Sequence, residues 1–207
     1  MVKEMEQGSG IKAVLFDYGG VIAEEGFKTA IPVLARENGL DSGELMKTAF
    51  GLVYGLGFTS GKITQEVFWS ALRRKTGITG TDSVLTEAVL SRFTLRPWMI
   101  EVVVGLKQRG LTVGILSDQT HWLDTLDARD GIFRHFDHVF NSYHLGTTKK
   151  GNEIFAQALK KLGRKASETL FIDDHLSNIE RASSMGFYTI FYTQRELFER
   201  ALKRHIG

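Results

Sequence analysis

The feature that most limits what this chain can become is an apolar run that stops at a carboxylate: Ala13-Val14-Leu15-Phe16-Asp17-Tyr18-Gly19-Gly20-Val21-Ile22. Apolar residues without polar alternation suit a strand covered on both faces, the usual condition inside a parallel sheet. In an open parallel sheet, ligands collect beyond the carboxyl ends of the strands. Asp17 stands at such an end, and the glycines behind it let a ligand come close to the backbone. Asp17 is therefore a candidate nucleophile. A lone aspartate at a strand end is most often a solvated turn residue, so the assignment depends on its partners further along the chain.

After the strand at residues 11–16, comparable runs fall at 111–116, 138–141, 169–172 and 188–192. Between them lie helical patterns, such as Ile154, Phe155, Ala158, Leu159 and Leu162 on one face. Strand and helix alternate through this half, which predicts right-handed crossovers and an α/β fold with a parallel sheet. Residues 24–95 read differently, as helices over roughly 28–38, 43–55, 64–76 and 82–93 broken by glycines. In the third, Thr64 is placed to cap, and Val67, Phe68, Ala71, Leu72 and Lys75 share a face. A helical block entering just after the first strand predicts a lid over that strand's carboxyl end.

Composition narrows the possible functions. With 207 residues, 43% of them hydrophobic, the chain can bury a core and carry an insertion. Its 26 basic and 24 acidic residues nearly balance, and no basic block tracks a nucleic-acid backbone. The absence of cysteine removes disulfides, thiolate catalysis and thiolate metal sites. Residues 1–10 are polar and lack a signal core, so a loose arm is expected. No apolar stretch reaches the roughly 18–20 residues of a membrane span. The expectation is a soluble, cytoplasmic protein, monomeric or homodimeric, with neither nucleic acid nor membrane as partner.

Three further groups join Asp17. Leu116-Ser117-Asp118 closes the second strand with a hydroxyl and exposed backbone, which suit phosphate. Lys149 and Lys150 precede the helix near Ile154, where a lysine can neutralise a phosphate or carboxylate. Phe171-Ile172-Asp173-Asp174 puts adjacent carboxylates at another strand end. Their repulsion invites a cation, and all-oxygen ligands favour magnesium.

In this order the four segments resemble the short motifs of the haloacid dehalogenase superfamily, with Asn178, Ala182 and Gly186 extending the last of them. The segment from Gly61-Lys62-Ile63-Thr64 to Phe68-Trp69 is similar to that family's small helical cap. The resemblance implies a Rossmann-like core from residues 11–23 and 96–207, with an all-helical cap at 24–95. It further implies a Mg2+-dependent phosphatase acting on a small phosphorylated metabolite, a sugar phosphate or an activated phosphate. Asp17 would attack phosphorus; Asp17, Asp173, Asp174 and the Gly19 carbonyl would hold the metal. Ser117, the Asp118 amide and Lys149 would bind the phosphate, Lys149 being preferred to Lys150 because it falls six residues before Phe155.

One departure matters. Phosphatases of this family usually carry a second aspartate two residues after the nucleophile, as acid and base, and here that residue is Gly19. Glu24, Glu25 or His121 could replace it, or the substrate could have a leaving group that needs no acid. Two other readings stay open: a metal-free dehalogenase, and a weakly catalytic binding or regulatory protein. Phe68, Trp69 and Phe93 are expected in the core of the cap, and His135, His138 and His144 in structural or surface positions. The apolar, glycine-rich run from Gly51 to Phe58 is cap core unless it faces Asp17, where it would shape specificity.

Overall fold

The computed structural model describes residues 10–207; the expected loose arm, apart from Gly10, lies outside the described residues. Among the described residues the strands are β1 (Ala13–Phe16), β2 (Thr112–Ser117), β3 (His138–Asn141), β4 (Thr169–Asp173) and β5 (Tyr188–Phe191). They form one wholly parallel sheet in the order β3-β2-β1-β4-β5. The α-helices are α1 (Gly26–Glu37), α2 (Ser42–Gly55), α3 (Gln65–Thr76), α4 (Asp82–Leu90), α5 (Pro97–Gln108), α6 (Trp122–Asp130), α7 (Ser142–Leu145), α8 (Glu153–Leu162), α9 (Leu176–Ser184) and α10 (Arg195–Ile206). No helix among the described residues is long and apolar enough to cross a membrane.

The sheet follows from the continuous apolar runs. Successive side chains on a strand point to opposite faces, and both faces here are covered. Val14, Phe16, Ile115, Leu170 and Ile172 join the larger core with α5, α6 and α10. Leu15, Leu116 and Phe171 join a second core with Ile154, Phe155 and Ala158 of α8 and Ile179 and Ala182 of α9. The central strand β1 is buried throughout, whereas the edge strand β5 exposes Tyr188 and Phe191. The Rossmann-like α/β fold expected from the sequence is the fold observed.

Helices α1 to α4 all fall between β1 and β2, where the sequence placed its helical block. Their core is aromatic: Phe58 stacks on Phe68 at 5.2 Å between ring centres, and Trp69 stacks on Trp122 of α6 at 5.8 Å. That second contact shifts the buried face of α3 from the one expected. Phe68, Trp69, Ala71 and Leu72 are buried, while Val67 and Lys75 face outward. Thr64 occupies the N-cap position of α3, but its side chain accepts no capping hydrogen bond.

The helical block joins the sheet through a narrow neck. Ala23 bridges Leu95, Glu24 N–H donates to Thr94 O at 2.8 Å, and Arg96 N–H donates to Ile22 O at 2.9 Å. The Arg96 guanidinium forks onto the Glu24 carboxylate at 2.8 and 2.9 Å and also donates to the carbonyl of Gly20. A bidentate pair of this kind fixes direction as well as distance.

Candidate active site

Since β1, β2 and β4 are neighbours in a parallel sheet, their carboxyl ends lie side by side. This brings together residues far apart in the chain. Asp17 Oδ1 accepts from the Ser117 hydroxyl at 2.5 Å and from Tyr18 N–H at 2.7 Å. Lys149 Nζ sits 2.9 Å from Asp17 Oδ2 and 2.6 Å from Asp173 Oδ2. The two candidate lysines both border the cleft at these strand ends but differ in burial and in what they face. Lys149 is 1% exposed and faces Asp17, whereas Lys150 is exposed and lies over the Tyr54 ring at 3.8 Å.

The lysine is held from several sides. Asp118 Oδ1 accepts from Lys149 N–H at 2.8 Å, and the Arg181 guanidinium donates to Lys149 O at 2.8 Å. Asp173 accepts from His175 N–H at 2.7 Å, from the Asn178 amide on both oxygens, and from Lys149 Nζ. Burial by itself would depress the Lys149 ammonium, but Asp17, Asp173 and Asp118 outweigh it and hold its pKa above the ordinary value. The lysine therefore stays charged.

The carboxylates feel the opposite pull. Burial lifts Asp17 above the ordinary range, with Asp173 adding to it and Lys149 and Ser117 opposing. Burial also raises Asp174, and the charge of Asp17 raises it further. Oxygens of Asp17, Asp173 and Asp174 lie within 4.8 Å of one another. A cation among them would relieve that repulsion, and an all-oxygen donor set suits magnesium. Gly20 makes the arrangement possible, because its φ is +81° and a Cβ there would collide with the Asp174 carboxylate.

These groups open onto a cleft of about 200 Å³ beneath the helical block. Asp17, Gly19, Ser117, Asp118, Lys149 and Asp174 line it, and Asp173 is fully buried behind. The cleft also exposes residues that no motif marked: Lys28, Phe50, Tyr54 and Gln119. Tyr54 comes from the glycine-rich run, so part of that run does face Asp17. Phe68, Trp69 and Phe93 are buried as expected, and His144 lies exposed beside Asp124 at 2.8 Å.

The geometry also sorts the three groups proposed to stand in for an acid at position 19. Glu24 is tied to Arg96 outside the cleft. His121 packs among Phe58, Trp122 and Tyr143 and does not reach it. Glu25 lines the cleft, and its Oε1 lies 3.3 Å from where a Cβ on Gly19 would be. Its other oxygen accepts from Lys28 N–H at 2.7 Å, capping α1. Burial lifts the Glu25 carboxyl above its ordinary range, against that hydrogen bond and with Asp174 and Asp17 reinforcing it.

A family model described as haloacid dehalogenase-like hydrolase matches residues 11–186. The mouse protein bifunctional epoxide hydrolase 2 is 30% identical over 131 residues, 60% of this chain but 23% of its own length. The chain thus spans less than a quarter of that relative. D-ribitol-5-phosphate phosphatase of Bacteroides thetaiotaomicron is 28% identical over 86% of this chain and 90% of its own. Among solved structures, a haloacid dehalogenase family enzyme of Bacteroides thetaiotaomicron, a mutant bound to magnesium and inorganic phosphate, superposes with a TM-score of 0.74. It is 22% identical, covering 89% of this chain and 94% of that one.

Proposed function

We propose, from the premise that this chain belongs to the haloacid dehalogenase-like hydrolases, that it is a phosphatase for a small phosphorylated metabolite working through an aspartyl-phosphate on Asp17. The observation that carries the reading is the lysine bridge. Lys149 Nζ, 2.9 Å from Asp17 and 2.6 Å from Asp173, fixes a buried carboxylate at a strand end and supplies positive charge where phosphoryl oxygens would lie. Relatives named for phosphatase activity support the substrate class, among them those for D-ribitol 5-phosphate and glyceraldehyde 3-phosphate.

In the first step an oxygen of Asp17 attacks phosphorus and the bond from phosphorus to the ester oxygen breaks, its electron pair leaving with the alcohol. Ser117 and Lys149 hold the transferring oxygens, joined by the Asp118 amide. Glu25 gives its proton to the departing oxygen. In the second step Glu25 takes a proton from water as that water attacks phosphorus, which frees phosphate and restores Asp17. Magnesium would be held by Asp17, Asp174 and the Gly19 carbonyl, and when bound it supplies Lewis-acid stabilisation of phosphoryl charge. The sequence expectation also includes Asp173 among the ligands. With Lys149, His175 and Asn178 already on its oxygens, we give Asp173 the task of orienting the lysine.

In this scheme residues 24–95 act as the cap over a core of residues 11–23 and 96–207. The phosphatase reading outweighs the dehalogenase one because the dehalogenase reaction uses no metal, and without a cation the clustered carboxylates would repel an anionic haloacid. The test is hydrolysis of para-nitrophenyl phosphate with magnesium, with EDTA, and with Asp17→Asn as the blank. Turnover that needs magnesium and vanishes in the variant is expected. Turnover that persists in Asp17→Asn removes the nucleophile assignment.

A further inference from the structure

Beyond the phosphate end of the cleft, a second chamber of about 50 Å³ runs under the helical block. It shares Glu25, Phe50, Tyr54, Asp118 and Gln119 with the main cleft, so the two adjoin. Its remaining walls are mostly apolar, from Phe27, Val53, Phe93 and Trp122. At about 10–15 Å³ for each water-sized group, the chamber has room for roughly three to five.

One wall residue has an unmet need. Thr59 is 5% exposed and lines the chamber, yet its Oγ1 has no hydrogen-bond partner among the described residues. Buried hydroxyls are nearly always paired, so an orphan at a cavity wall calls for an explanation. Two other polar groups of the wall are paired: Thr120 Oγ1 accepts from Trp122 N–H, and Trp122 Nε1 donates to Gln65 at 2.8 Å. Thr59 is also firmly placed. It sits in a short 3-10 turn between Gly57 and Gly61, both at positive φ, and its carbonyl accepts from the Ser142 hydroxyl at 2.6 Å. A firmly placed, unpaired hydroxyl on a residue of the chamber wall is preorganised for a ligand group.

We propose that this chamber takes the end of the substrate remote from phosphorus, a short methylene segment tipped by one hydroxyl or carbonyl oxygen that pairs with Thr59 Oγ1. The proposal rests on the phosphatase reading and narrows it: a chain hydroxylated at every carbon leaves its middle hydroxyls against Phe27 and Val53. The preferred substrate class is a phosphomonoester of a short, terminally oxygenated carbon chain.

The probes are 4-hydroxybutyl phosphate and butyl phosphate, titrated by calorimetry with magnesium into Asp17→Asn, which retains the cleft without turnover. Inorganic phosphate is the reference. One neutral hydrogen bond gives about a 3- to 10-fold preference, so the hydroxylated probe is expected to bind that much more tightly. Adding Thr59→Ser should keep the preference, and adding Thr59→Val should erase it. Phosphate binding with no preference between the chains overturns the chamber alone, as does a preference that survives Thr59→Val. Failure of the unaltered protein to bind inorganic phosphate with magnesium, and to hydrolyse either probe, overturns the phosphatase reading and this inference with it.

Discussion

The acid–base assignment gives the sharpest test, through Glu25→Gln. A positioned acid or base contributes about 10²–10⁴ in rate, equivalent to roughly 3–5 kcal/mol of barrier. That contribution is needed only when the departing oxygen is a poor leaving group. The variant should lose about 10²–10⁴ in kcat/KM on an alkyl phosphate and far less on para-nitrophenyl phosphate. Glutamine keeps an oxygen for Lys28 N–H, which Glu25 now bonds at 2.7 Å, so the cap of α1 survives. The melting temperature therefore serves as a control and should not drop. Because burial raises the Glu25 carboxyl, its protonated form persists to higher pH than that of a free glutamate. Alkyl phosphate hydrolysis should fall as pH rises through that raised value, and Glu25→Gln should remove this limb. The assay is a pH profile of kcat/KM for both substrates. Equal losses on the two, or an unchanged alkaline limb, would refute the reasoning.

Three other outcomes are expected. Gly19→Asp should slow an alkyl phosphate rather than help it, since the new side chain starts 3.3 Å from Glu25 Oε1 and 3.4 Å from the Phe93 ring; steady-state kinetics alone and in the Glu25→Gln background check this, with partial recovery in the double variant. Gly26→Ala should destabilise by about 1–3 kcal/mol, read from urea denaturation, because its Cβ would run into the Phe93 ring. Asp174→Asn should raise the melting temperature of the metal-free protein by removing a like charge beside Asp17. The same variant should abolish the rise that magnesium gives the unaltered protein by binding the folded state.

Local sequence carried the sheet well because its cause is local. Ala13 to Phe16 and Thr169 to Asp173 are buried on both faces, so unbroken apolar runs had to mark them. Asp17, Ser117 and Asp173 were legible for the same reason, each being the polar residue where such a run stops. The face of α3 was not, because it depends on Trp122, which lies more than fifty residues away in the chain and stacks on Trp69. Thr59 and Gln119 were also hidden. Neither has a distinctive spacing, and their significance arises only where the helical block closes over the sheet. Glu25 lay between these cases: sequence could nominate it beside Glu24 and His121, but only its place on the cleft wall beside Gly19 separates the three.

The narrow neck has an evolutionary consequence. Its two segments, one following β1 and the other leading into α5, run within hydrogen-bond distance of each other, Glu24 to Thr94 and Arg96 to Ile22. Seen from the sheet, the intervening helices are a single loop with closed ends, and the entropy of closing such a loop grows only slowly with its length. Descendants can thus lengthen, shorten or replace the block without disturbing the strands beneath. Yet Glu25 stands on the far side of that junction, at the first turn of the exchangeable part. A replacement would carry its own proton donor along with its own chamber, so selectivity and proton handling would be inherited as one unit.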